Sequence, residues 1–301
     1  MIKRGYGISA ALVMGILFLA GCRQSATPEP ASPLNVTVSI VPQKYFVERV
    51  GGEHVDVNVM VLPGNSPATY EPRPEQLKAL SESVAYFSVG VPFENAWLDK
   101  IASANDKMRI VDTAAGIERV PVNAHYRVEV GGRPESDAEG RDPHIWLSPS
   151  LVKVQARNIH NALVDLDPDN KADYKANLDS FIADIDALTA GIEETLADLP
   201  NRKFMVFHPA WGYFGDDFEL EMMPIEVGGQ EPSAAELAEL VTKAQAEDIQ
   251  VIFVQPEFSS EDAETIASEI GGTVLPISPL AEDWLTNLSQ VAETFAEALG
   301  H

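Results

Sequence analysis

Apolar positions along the chain switch between two spacings. NVTVSIV (35–41) and VDVNVMV (55–61) place Val or Ile at every second position, the period of a strand. Between them QKYFVERVGG (43–52) carries helix spacing and a glycine stop. PEQLKALSES (74–83) begins with Pro at a first helical position, where its missing N–H costs nothing. VAYFSVG (84–90) then reads as a strand, FENAWLDKIAS (93–103) as a helix and RIVDT (109–113) as a strand. This alternation predicts an α/β fold, a mostly parallel sheet covered by helices.

Residues 121–142 break the rhythm. They are polar, with a Gly-Gly pair, and read as a surface loop with a short hairpin around RVEVGGRP. Helix resumes at Ser148-Pro149, a cap followed by a first-position proline. DPDNKADYKANLDSFIADIDALTAGIEETLADLP (167–200) reads as one long helix, 168–199. Asp167 caps it, Pro168 opens it, and apolar residues recur from Tyr174 to Leu199 in steps of three or four, apart from the adjacent Phe181-Ile182 pair. About 30 residues at ~1.5 Å each give roughly 45 Å, longer than a small domain requires. Such a helix at mid-chain suits a spine joining two βα lobes. The second half repeats the alternation: strands at 203–207, 222–228, 249–255 and 273–278, with helices at 233–248, 259–272 and 283–300. Ser233 and Glu236 form a capping-box pattern. The expected organisation is an N-terminal lobe at 35–147, connecting helices at 148–200 and a C-terminal lobe at 201–301.

The ends and the charge add to this. Residues 1–22 read as a secretory signal: Lys3 and Arg4, an apolar run at 11–20, then Gly21-Cys22. Leu19-Ala20-Gly21-Cys22 is similar to the bacterial lipobox, in which the signal is cut before the cysteine and lipid is attached to it. Cys22 is the single cysteine, so no disulfide forms within the chain. Residues 23–34 are short, polar and Pro-rich and suit a tether. The expectation is a cell-envelope protein, lipid-anchored to a membrane at Cys22 and held outside the cytoplasm, in the periplasm or on the cell surface. The 301 residues carry 46 Asp and Glu against 21 Lys and Arg, a formal charge of −25. A chain this acidic repels phosphate backbones, which argues against nucleic-acid binding.

Two histidines carry the candidate chemistry. His208 follows an apolar strand and precedes Pro209. Ligands of parallel α/β sheets gather beyond the carboxyl ends of strands. His144 sits in DPHIWLSP (142–149), after Pro143, at the junction between the first lobe and the spine. If the lobes face each other, the two imidazoles meet in the cleft. A metal ion is one reading, and a buried histidine bonded to a neighbouring carbonyl is the other.

The mature chain, about 35 to 299, resembles the zinc- and manganese-binding receptor lipoproteins that feed metal ions to ABC importers. The resemblance rests on SPATYEPRPEQLKAL (66–80), VGVPFENAWLDKI (89–101), DPHIWLSP, FHPAWGYFGDDF (207–218), GGQEPSAAEL (228–237) and VIFVQPEFS (251–259). It implies two lobes bridged by one long helix, with the metal between them, and a monomer that docks on an ABC permease. Members usually hold the ion with four side chains. Two match His144 and His208. The first, a His in a P-H-x-Y-x-P pattern, is replaced by Ala68, and the fourth, an Asp or Glu before a Pro/Ser-Leu pair, by Ser278. Zinc wants about four N, S or O ligands, so this site needs water or other residues to complete it. Glu71, His125 and Asp283 are the chemically able substitutes. Two imidazoles without an aligned carboxylate favour zinc over manganese. His54 and His160 read as structural or exposed, and His301 as a terminal residue.

The alternative implied by Ala68 and Ser278 is a drifted receptor that binds a non-metal ligand or acts in surface adhesion. A hydrolase is disfavoured. The chain has no H-E-x-x-H run and no G-x-S-x-G elbow.

Overall fold

The computed structural model describes residues 1–2, 32–125, 140–226, 232–258 and 260–300. Contacts divide the chain into Met1–Ser32 and Pro33–His301, and the fold is that of the second unit. Cys22, His301 and the hairpin expected around 127–134 lie outside the described residues.

Two four-stranded sheets form. The first contains β1 (Leu34–Val38), β2 (Val55–Val59), β3 (Ala85–Ser88) and β4 (Arg109–Asp112), in the order β2-β1-β3-β4. The second contains β5 (Lys203–Val206), β6 (Glu221–Pro224), β7 (Val251–Val254) and β8 (Thr273–Pro276), in the order β6-β5-β7-β8. Every pairing between these strands is parallel, so each return needs a crossover. In the first lobe α1 (Val41–Gly51), α2 (Pro74–Ser81) and α3 (Pro92–Ala104) provide it; in the second, α6 (Gly212–Asp217), α7 (Ala234–Ala246) and α8 (Glu261–Ile270). The two-lobed α/β architecture matches the sequence pattern.

Between the sheets lie α4 (Pro149–Leu166) and α5 (Lys171–Thr195), and α9 (Trp284–Leu299) closes the chain. Helix α5 packs on α1, α4 and α9, burying Tyr174, Leu178, Phe181, Ile185 and Ile192 along one stripe. The long helix is shorter than the expected 168–199. Residues Pro168–Asn170 form a tight 3-10 turn, in which the Asp167 carboxylate accepts from Asn170 Nδ2 (2.6 Å) and the Tyr174 hydroxyl (2.8 Å). At the other end Arg202 donates to the carbonyls of Leu196 (2.9 Å) and Ala197 (3.2 Å), which takes those acceptors out of the helix ladder. The first strand also ends early, at Val38 rather than 41. The Gln43 side chain accepts from the backbone N–H groups of Ser39 (3.0 Å) and Ile40 (3.3 Å), turning the chain directly into α1. Among the described residues no helix is long and apolar enough to cross a membrane.

One continuous apolar core runs from the first sheet through the spine to one face of the second sheet. The alternation of β5 decides the rest: Phe204 and Val206 join that core, while Met205 and Phe207 face a second one under α7 and α8. Two buried tryptophans stitch the spine's entry to the C-terminal segment. Trp146 Nε1 donates to Pro279 O at 2.7 Å, and Trp284 Nε1 donates to Trp146 O at 2.6 Å.

Candidate metal centre

His208 sits just past the end of β5, and the two flanking strands hold it. Gln255, buried at the end of β7, accepts from His208 N (3.1 Å) and donates to His208 O (2.7 Å), so the backbone there is fixed on both sides. Glu226, beyond β6, meets His208 Nδ1 at 2.5 Å. The ring stacks on Phe258, with centroids 4.6 Å apart and an 18° tilt. Burial lowers the imidazole pKa, and the charge of His144 adds to this; the Glu226 bond opposes it without winning. With Nδ1 bonded to a carboxylate, Nε2 is the nitrogen left with a lone pair.

His144 is set by a local device. Asp142 Oδ1 accepts from His144 N (2.9 Å) and from its Nδ1 (2.6 Å), which folds the ring back over the Asp142-Pro143 turn. A 3-10 turn, Ile145–Leu147, then leads into α4, whose cap is the Ser148 hydroxyl accepting from Leu151 N at 3.2 Å. Asp142 is fully buried. Burial alone would raise its pKa, but the His144 charge, the close approach of His125 and the bonds from His144 hold it well below the usual carboxylate range.

His125 stands behind Asp142. Its Nε2 lies 3.0 Å from Asp142 Oδ2, though not aligned as a hydrogen bond, and its Nδ1 lies 2.7 Å from Asp216 Oδ2. Gly212 leaves room for it, since a Cβ there would overlap the ring. The four groups form a chain: His144, Asp142, His125, Asp216.

The imidazoles of His144 and His208 do come together. Their centroids are 5.3 Å apart and their planes cross at 75°. An ion about 2.1 Å from each Nε2 lies ~3.2 Å from each ring centre, and a tetrahedral angle then separates the centres by ~5.2 Å. Both rings open on a cavity of about 350 Å³ between the lobes. Ala68 is exposed and lines that cavity with a methyl group. Ser278 is half-buried; its carbonyl accepts from Asn287 Nδ2 at 2.8 Å, and it is Pro279 and Leu280 of that turn that line the cavity.

The three suggested substitutes are placed elsewhere. His125 supports Asp142, Asp283 caps α9 by accepting from Thr286 N (3.2 Å), and Glu71 is exposed on the surface. His54 pairs with Asp173 (3.1 Å), and His160 meets Asn161 (3.1 Å). Among the described residues no group of three His, Cys, Asp or Glu side chains converges to hold an ion. Glu226, Gln255 and Glu257 were missed in the sequence. All three follow strands of the second sheet, and their position beside His208 depends on the order β6-β5-β7, which periodicity does not reveal. Asp142 was readable, two residues before a histidine in an Asp-Pro turn.

A family model described as the periplasmic component A of a zinc-uptake complex matches residues 36–298. The high-affinity zinc uptake system protein ZnuA of Bacillus subtilis is 29% identical over 266 residues, covering 85% of this chain and 82% of its own length. A crystal structure of ZnuA superposes with a TM-score of 0.81 at 45% identity, covering 88% of this chain and 99% of that one. A zinc-bound ZnuA deletion mutant gives 0.80 at 46% identity, covering 89% and 98%.

Proposed function

The chain belongs to the family of periplasmic zinc-uptake components, and we propose that it captures a transition-metal ion, zinc foremost, between its lobes and hands it to the permease of an ABC importer. It is a solute receptor and not an enzyme. His144 and His208 are the two protein ligands. The observation that carries this reading is their arrangement: two rings 5.3 Å apart across the cleft, each with Nδ1 engaged by a carboxylate and Nε2 left to bind. Manganese fits less well, because the two proposed ligands are nitrogen donors where that ion favours oxygen. The receptor acts as a monomer tethered through lipid on Cys22, with the lobe surfaces flanking the cleft as the docking face for the permease.

Isothermal titration of the full-length protein with zinc tests this. One saturable site is expected, weakened in both His144→Ala and His208→Ala. No heat and no thermal shift with any divalent ion would overturn it. Membrane fractionation of Cys22→Ala tests the anchor: the variant is expected in the soluble fraction.

A further inference from the structure

A bare ion leaves three features of the cleft unaccounted for. The first is the donor count. Zinc takes about four ligands, and the cavity lining offers two imidazoles and the Glu257 carboxylate, which do not converge as a group of three among the described residues. The second is size and lining. An ion with two waters fills on the order of 60–70 Å³, at ~30 Å³ per water, while the cavity holds about 350 Å³. The rest is walled by Val91, Pro92, Val122, Trp146, Phe258 and Leu280. Filling such walls with water is unfavourable, and a space of this size and character suits an organic molecule.

The third feature is Glu257. It lines the same cavity, next to the Phe258 that stacks on His208. Its Oε2 is shut off from solvent and has no hydrogen-bond partner among the described residues. Burial pushes this carboxyl up in pKa, with His208 opposing. A buried acceptor left unmade costs free energy, and such groups are rare in folded proteins without a reason.

We propose that the cargo is a chelated metal: a divalent transition-metal ion on His144 and His208, completed by a small bidentate organic chelator. The chelator's aromatic or aliphatic body lies on the apolar walls, and an N–H group of it donates to the Glu257 carboxylate once that side chain turns its shielded Oε2 toward the cavity. Its two lone pairs take the positions that two waters would otherwise hold, and no covalent bond is made or broken. This deepens the metal-receptor reading and rests on it. Ala68 then has a physical sense, since a methyl at the rim leaves the volume that a third protein ligand would fill.

Equilibrium dialysis of the full-length protein distinguishes the cases, with zinc sulfate alone, 2-(aminomethyl)pyridine alone, and both together. That probe has one aromatic ring, two nitrogen donors and an amine N–H. Zinc and probe are expected to be retained together at about one each per chain, with no probe retained when zinc is omitted. Glu257→Gln, a substitution of equal shape whose fold is checked by its thermal melt, is expected to lower probe retention about tenfold, the worth of one charged hydrogen bond. Where both are supplied, zinc retained with no probe beside it, or stripped by the probe, overturns the chelate and leaves the metal receptor standing. Zinc retained in no arm overturns both. Undiminished probe retention in Glu257→Gln removes the role given to that carboxylate.

Discussion

β1 and β5 hold the same place in their sheets, second in the orders β2-β1-β3-β4 and β6-β5-β7-β8. Their exits also match: Val61 N donates to Ser39 O as Glu226 N donates to Phe207 O, both at 2.9 Å. Ile40 therefore stands in one lobe where His208 stands in the other. Their surroundings differ. Ile40 is fully buried because α1 begins at the next residue, and the Gln43 side chain clamps the turn. His208 is followed by Pro209, Ala210 and Trp211 before α6 begins, so its ring stays at the cleft. A parallel sheet fixes where a ligand can stand, and the spacing to the next helix decides whether the position is spent on packing or on chemistry.

The largest expected effect concerns what holds the two halves in register. Trp146→Ala removes a buried indole and its hydrogen bond to Pro279 O, leaving Trp284 bonded only to a backbone carbonyl. Urea denaturation should register a loss of about 3–5 kcal/mol. A cost near that of a surface substitution would mean the lobes are joined elsewhere.

Exchanging the strand ends comes next. His208→Ala is expected to weaken zinc at least 100-fold, beyond the ~10–100-fold typical of losing a group behind the ligands. Ile40→His should add no zinc affinity and destabilise by roughly 2–5 kcal/mol, since it buries an imidazole without a partner. Calorimetry on the two variants checks both halves of the contrast. A second zinc site in Ile40→His would show that α1 does not close the first strand end.

The supports of the two imidazoles also differ. Glu226 reaches His208 from a neighbouring strand, whereas His144 depends on a chain that ends at Asp216, whose side chain is half-exposed. Within that chain burial alone would lower the His125 pKa, but the close contact and charge of Asp142 and the charge and bond of Asp216 outweigh it and raise it above the ordinary 6.5. A raised folded-state pKa means its stabilisation is complete below about pH 6.5 and fades as pH rises through the folded value. His125→Gln should therefore cost more stability at about pH 5.5 than at about pH 8.5. Equal costs at both pH values would mean that His125 does not gain its proton on folding.

The smallest effect is at the surface. Lys44 on α1 meets Glu282, ahead of α9, at 2.6 Å, but the glutamate side chain is 64% exposed. Lys44→Ala should cost less than about 1 kcal/mol, and less again in high salt. The contrast with Trp146 separates a packed tie from a solvated one.

Much of this was legible in the chain. Strict alternation in 55–61 and the capping box at Ser233 and Glu236 are local facts with local causes; the helix starts where the box places it, and the strand forms within its pattern at Val55–Val59. The short helix Gly212–Asp217 was not anticipated, because its apolar side chains are aromatic and crowded rather than periodic. The pairing of His144 with His208 was expected on condition that the lobes face each other, and the rings stand 5.3 Å apart. The role of His125 did not follow, since a histidine before an Asp-Pro-His motif could equally have pointed into the cleft.

Taken alone, the order of residues determined the alternating elements, the long central helix and the two imidazoles, because hydrophobic period and turn chemistry act over a few neighbours. The tertiary structure alone decided which carboxylate backs each histidine, that His125 lies behind Asp142, and that Glu257 lines the cleft with its Oε2 unpartnered among the described residues. Those relations join residues as distant as Asp142 and Asp216. They are set by strand order and by the docking of one lobe on the other, and no local pattern along a chain encodes them.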